Sequence, residues 1–124
     1  MNLIEKATER REHKRYRLKE DAIVATSARL GQIVDISMGG LSFRYIAKTS
    51  TMDETSNELD IFLSRDDFYL EKVPFEKVSD DVSVYDSPFS IIKMRRFSVK
   101  FGSLTSEQKY QLERFLRHHT AGEA

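Results

Sequence analysis

The most constraining feature of the sequence is an alternation of apolar and polar residues within two segments, Leu41–Ile46 and Arg95–Phe101. A period of two is typical of a strand with one buried face. Alternating or apolar runs that favour further strands stand at residues 22–26, 28–35, 59–63 and 68–77. Short strands at even spacing predict an all-β fold, a closed or nearly closed β-barrel of about six antiparallel strands.

A C-terminal α-helix is predicted after the last of these strands. Thr105 and Gln108 have the spacing of a capping box, in which each side chain bonds the backbone N–H of the other residue. Leu112, Phe115 and Leu116 follow at helical spacing and form an apolar stripe. The sequence therefore predicts a barrel over residues 21–104, closed at one end by a helix over 105–119. The acidic segment 79–88 is predicted as a turn.

The segment Asp35–Gly40 joins the second predicted strand to the third. Asp35 and Ser37 can bond local backbone N–H groups, and both residue types favour turns. Gly39 and Gly40 permit positive φ and allow another molecule to approach the backbone closely. By itself the pattern is typical of an ordinary hairpin.

Residues 1–20 form a strongly basic N-terminal segment. Arg10–Arg17 contains five basic residues among eight. Such a segment cannot bury itself, so it predicts a flexible arm that an anion orders. The alternative interpretation is a solvated tail.

Two short motifs stand in a fixed order along the chain. Arg11 and Arg15 form RxxxR before the predicted barrel, and Asp35, Ser37 and Gly40 form DxSxxG inside it. Together they resemble the PilZ domain family over nearly the whole chain. The resemblance implies a single domain that binds the bacterial second messenger cyclic di-GMP through these five residues.

The residue types suit that ligand, which carries two phosphates and two guanines. The arginine fork binds phosphate oxygens or the guanine edge, and its flat face stacks on a purine. Asp35 can accept hydrogen bonds from the guanine N–H groups, and Ser37 can donate or accept at the same edge. Arg10 adds a guanidinium beside the motif, which predicts two stacked ligands per chain. Arg44 and Arg96 stay open as further contacts.

The formal net charge is zero, but it is unevenly distributed. The net charge is +4 over residues 5–19, −8 over 53–86 and +5 over 93–117. A neutral total argues against a general nucleic-acid binder, which must neutralise many phosphates. Two basic ends around an acidic middle suit a small anion better.

The sequence contains no motif for several functional classes. Without cysteine the chain has no disulfide, thiolate metal site or cysteine nucleophile. His118 and His119 are adjacent and do not share a helical face, so no metal site is predicted. No catalytic motif and no apolar run long enough to span a membrane occurs. The expectation is a cytoplasmic bacterial receptor, not an enzyme, that has no cofactor and signals to an unidentified protein partner.

Two other functions remain open. One is a protein-interaction module of the same fold that binds no ligand, using the acidic segment 53–86 or the apolar residues 68–75. The other is a small barrel that binds single-stranded nucleic acid through aromatic side chains and a basic groove. Salt dependence separates the second from a cyclic di-GMP receptor, because oligonucleotide binding weakens steeply as ionic strength rises.

Overall fold

The computed structural model describes residues 14–18, 22–47, 53–63, 68–82 and 93–123. Arg10 and Arg11 lie outside these ranges. The described residues contain eight strands and one helix: β1 Tyr16–Leu18, β2 Ile23–Ala25, β3 Leu30–Ile36, β4 Gly40–Ala47, β5 Glu58–Leu63, β6 Phe68–Val82, β7 Lys93–Phe101, α1 Ser106–His119 and β8 Thr120–Glu123.

Six of the strands close into a ring. The order is β2-β5-β6-β7-β4-β3, and β3 pairs back onto β2 to complete the barrel. All pairings are antiparallel, so the predicted barrel is confirmed. β1 pairs with the end of β3, where Tyr16 lies opposite Ile36, and β8 pairs with β1 outside the ring.

The two alternating segments form the longest regular ladder of the barrel. β4 and β7 pair without a break from Gly40 opposite Lys100 to Ala47 opposite Lys93. This register places Phe43 opposite Phe97, both fully buried, with their ring centroids 5.3 Å apart. An aromatic pair of this kind contributes about 0.5–1.5 kcal/mol beyond area burial. The apolar face of each alternation therefore forms the barrel core.

The helix α1 begins as the sequence predicted. The Thr105 N–H donates to Gln108 Oε1 (3.0 Å), and the Gln108 N–H donates to Thr105 Oγ1 (3.1 Å), which is the expected capping box. Leu112 and Phe115 are buried, and Phe115 packs against Phe68 of β6 at 4.8 Å between centroids. The apolar stripe therefore attaches α1 to the barrel.

The structure corrects the predicted secondary structure in three places. β6 continues through Val82, so the turn predicted from Ser79 is wrong over residues 79–82, and residues 83–92 lie outside the described ranges. The strand continues because Arg29 and Arg95 form ion pairs with Asp80, so this acidic side chain does not have to lie in a solvent-exposed turn. β1 and β8 were not predicted, because three or four residues are too few to show a periodic pattern.

Candidate functional site

The turn between β3 and β4 is held closed by Ser37. Its Oγ accepts hydrogen bonds from the backbone N–H groups of Gly39 (3.0 Å) and Gly40 (3.1 Å). The Ser37 N–H donates to the Gly40 carbonyl at 2.8 Å. Ser37 is buried, and these bonds fix the path of the chain between Asp35 and Gly40. The predicted local bonding of this residue is confirmed.

Gly40 is required by the barrel itself. A Cβ at this position would lie 2.2 Å from the carbonyl oxygen of Val99 in β7. That distance is far inside van der Waals contact, so any side chain would push β4 and β7 apart. The sequence suggested that Gly40 makes room for a ligand, and the structure shows that it makes room for a neighbouring strand.

Asp35 is a buried carboxylate near the end of β3, and polar groups from two other strands hold it. Oδ1 accepts a hydrogen bond from Ser42 Oγ at 3.0 Å, and Oδ2 accepts one from Arg96 Nη2 at 2.7 Å. Arg15, just before β1, places Nη1 3.7 Å from Oδ1. Asp35 is therefore oriented by β4 and β7 and faces the N-terminal segment.

Arg96 is one of the two arginines, with Arg44, that the sequence left undecided. Its Nε and Nη2 also donate to Ser42 Oγ, at 3.2 and 2.9 Å. Ser42 points to the outer face of β4, as its alternation predicts, yet it is fully buried because Arg96 covers it. No sequence signal joins Arg96 to Asp35, because the link depends on the β3–β4–β7 strand order.

These side chains form one group on the outer face of the barrel, here called the outer cluster: Arg15, Asp35, Ser42, Arg44 and Arg96. Arg44 belongs to it because it lies directly opposite Arg96 in the β4–β7 register. The cluster contains three guanidinium groups and one carboxylate. Asp81, opposite Arg96 on the β6 side, adds a second carboxylate nearby. The face keeps a surplus of positive charge.

Five of the seven predicted site residues lie in the described ranges and gather at one end of β3 and β4. These are Arg15, Asp35, Ser37, Gly39 and Gly40. Arg10 and Arg11 lie outside the described residues.

Comparison with known proteins supports the architecture through structure, not sequence. No protein-family model matches the sequence, and a comparison with curated proteins gives no match. The PilZ domain of YcgR from Escherichia coli, solved with c-di-GMP, superposes with a TM-score of 0.62 at 16% identity, covering 87% of this chain and 89% of that chain. The fold is that of a PilZ domain.

A second solved structure, YcgR from Escherichia coli in complex with c-di-GMP, gives a TM-score of 0.63 at 13% identity. The match covers 87% of this chain but only 45% of that longer one. The PilZ fold inferred from the two sequence motifs is thus confirmed. At this level of identity the likeness establishes the fold, and ligand binding has to be argued from the residues of this chain.

This PilZ fold contains a second arginine–carboxylate group, here called the inner cluster: Arg29, Tyr45, Glu54, Asp80 and Arg95. Arg29 donates from Nη1 to Glu54 Oε1 (2.9 Å), and its Nη2 lies 3.4 Å from Asp80 Oδ2. Asp80 also accepts hydrogen bonds from Arg95 Nε (2.9 Å) and Tyr45 OH (2.8 Å). Two cations face two anions, so the inner cluster is neutral.

The Arg29 side chain is only 8% exposed and lies against the aromatic core. Its guanidinium carbon stands 4.5 Å from the centroid of Phe97 and 5.2 Å from that of Tyr45. Cation–π attraction of this kind strengthens when water is excluded. Its Nε is buried and has no hydrogen-bond partner among the described residues.

The two carboxylates of the inner cluster have lowered pKa values. Burial alone would raise the pKa of Glu54, but hydrogen bonds from Ser27, Thr26, Arg29 and the Ala28 N–H outweigh it. Burial also opposes ionisation of Asp80, yet its hydrogen bonds with Arg95 and Tyr45 bring its pKa below the ordinary value. Both groups are therefore ionised at neutral pH and satisfied within the protein.

Among the described residues, no helix is long and apolar enough to cross a membrane. In the same ranges, no three histidine or acidic side chains are grouped so that they could hold a metal ion.

Proposed function

We propose that this chain is a member of the PilZ family that binds cyclic di-GMP at the outer cluster. The observation that carries the proposal is a buried, oriented carboxylate surrounded by more guanidinium charge than it neutralises. Asp35 has its position fixed by Ser42 and Arg96, while Arg15 and Arg44 remain exposed. A site of this composition suits a ligand with both anionic groups and N–H donors.

Cyclic di-GMP has this combination of groups. A guanine offers its ring N–H and amino group to the Asp35 carboxylate, which can accept up to four hydrogen bonds. The phosphates suit arginine forks, which bind them in bidentate fashion. Asp35 is held on rigid strands, so little freedom is lost there on binding. The proposed ligand-binding residues are Arg10, Arg11, Arg15, Asp35, Ser37, Gly39 and Gly40.

In this proposal residues 1–20 act as an arm, 21–104 as the barrel and 105–119 as its helix. β1 fixes the arm to the barrel at Tyr16, one residue after Arg15, so Arg11 and Arg15 can close over a ligand seated on Asp35. Ordering of the arm would change the surface shown to a downstream protein. The chain then works as a cytoplasmic bacterial receptor without catalytic activity.

Calorimetric titration of the full chain with cyclic di-GMP tests the proposal. Saturable binding that GTP and GMP do not reproduce is expected, with Lys109→Gln on α1 as a control that leaves binding unchanged. A stoichiometry of two ligands per chain, falling toward one in Arg10→Leu, is expected if Arg10 serves a second stacked ligand. No binding heat at millimolar ligand would disprove the receptor and favour the protein-interaction module.

A further inference from the structure

Arg44 and Arg96 are an unusual pair for adjacent strands. They lie directly opposite each other in the antiparallel β4–β7 register, on the outer face of the barrel, and both are exposed. Residues so placed have Cβ atoms about 4.5–5.5 Å apart, and like charges at this spacing destabilise the sheet. The free protein therefore carries a repulsion between these two side chains, and this repulsion needs an explanation.

The two arginines differ in their partners. Arg96 leans toward β3, where Asp35 and Ser42 bind its Nη2 and Nε. The side chain of Arg44 makes no hydrogen bond, ion pair or cation–π contact with any residue in the described ranges. Its register partner on the other side is Gln32, which is neutral, and Asp81 stands opposite Arg96 instead. The charge of Arg44 is thus not neutralised within the described structure.

We propose that Arg44 and Arg96 form a phosphate-binding pair that extends the ligand site across β4 and β7. This inference rests on the proposed function, because it assigns one phosphate of cyclic di-GMP to the strand pair and leaves the other to Arg11 and Arg15. Arg96 keeps its Nη1 beyond the bonds to Asp35 and Ser42, and Arg44 offers its whole fork, so the pair can bind the oxygens of one phosphodiester. A bound phosphate also removes the repulsion between the guanidinium groups, so part of the binding energy comes from relief of that repulsion.

The proposal predicts that Arg44 variants gain stability and lose affinity. In Arg44→Gln, the melting temperature of the free protein should rise by roughly one to a few degrees because the repulsion is gone. The dissociation constant for cyclic di-GMP should rise about tenfold, the usual effect of losing one charged hydrogen bond. Lys109→Gln on α1 removes the same charge far from the strand pair and should change neither quantity.

Two further substitutions separate charge from geometry. Arg44→Glu can pair with Arg96, so the free protein should melt higher still and bind on the order of a hundredfold more weakly. Arg44→Lys keeps the charge but not the fork, so its affinity should fall between those of the unaltered protein and Arg44→Gln. The affinity gap between the unaltered protein and Arg44→Gln should shrink as salt rises, since the Debye length falls from about 10 Å at 0.1 M to about 3 Å at 1 M.

Failure of this inference is distinguishable from failure of the proposed function. If the unaltered protein binds and Arg44→Gln binds within about twofold of it, the phosphate pair is wrong and the receptor stands. A lower melting temperature for Arg44→Gln would make Arg44 a structural residue and also overturn the inference. An affinity gap that ignores salt would assign Arg44 to a guanine edge, against the proposal. If the unaltered protein does not bind, both proposals fail.

Discussion

The inner and outer clusters use the same chemistry on opposite sides of the same strands. In the inner cluster Arg29 and Arg95 face Glu54 and Asp80, and the four charges cancel beside the aromatic core. In the outer cluster one oriented carboxylate, Asp35, faces more arginines than it can neutralise. A satisfied cluster stabilises a fold, whereas an unsatisfied one is available to a ligand. The comparison therefore supports a structural role for the inner cluster and the proposed ligand site at the outer cluster.

The largest expected effect is on the inner cluster. Arg29→Ala leaves two largely buried carboxylates without their shared cation, which should lower the free energy of unfolding by about 3 kcal/mol. Urea denaturation measures this loss. Arg44→Ala is the matched control, because it removes an arginine from the outer cluster and should not lower stability. A loss below about 1 kcal/mol for Arg29→Ala would mean that the inner cluster is not structural.

The second effect concerns the outer cluster, where substitutions should lower ligand affinity and leave stability nearly unchanged. Arg15→Ala, or Arg11→Ala, should weaken cyclic di-GMP binding by roughly 1.5–3 kcal/mol, about ten- to 150-fold, with little change in stability. The Arg15 side chain is 41% exposed and contacts only the edge of the Asp35 site, so the core does not depend on it. Calorimetry measures the affinity and a melting curve on the same sample measures the stability, so the two effects are separated. Normal affinity in both variants would exclude the arm from the site.

The smallest effect is the response of the inner cluster to acid. Glu54 and Asp80 have lower pKa values folded than unfolded, so the stability they provide is fully present above the ordinary values of 4.5 and 3.8. It is lost as the pH falls below these values through the folded-state pKa. Glu54→Gln should flatten the dependence of unfolding free energy on pH in this window, whereas Glu113→Gln on α1 should not. Equal slopes in both variants would contradict the assignment.

Much of the fold was predictable because its strongest signals are local. The alternation in β4 and β7 and the Thr105–Gln108 capping box depend only on neighbouring residues, and the structure confirms them. β1 and β8 were missed because their pairing is set by distant residues. The turn predicted at Asp80 was wrong for the same reason. An acidic side chain favours a turn in sequence, and its partners on other strands, Tyr45 and Arg95, are what hold it in β6.

The site was predictable to a lesser extent. The sequence predicted that Asp35 and Ser37 bond local backbone N–H groups. The structure confirms this for Ser37, whereas Asp35 accepts its hydrogen bonds from the side chains of Ser42 and Arg96. Arg96 and Ser42 could not be joined to Asp35 without the strand order, because 61 residues separate Arg96 from Asp35 along the chain. The sequence indicated that position 40 requires a glycine. The cause is the Val99 carbonyl of β7, and the sequence does not show that β7 lies beside β4.

The pairing of β1 with β8 has a practical consequence for monitoring this protein. β1 follows Arg15 directly, and β8 follows the last turn of α1 directly, so one hydrogen-bonded ladder connects the two. A displacement at Arg15 that shifts β1 also strains β8 and the end of the helix. The chain has no cysteine, so a thiol-reactive fluorophore on His118→Cys, at an exposed position in that last turn, would then report events at the arginine arm without touching the barrel core.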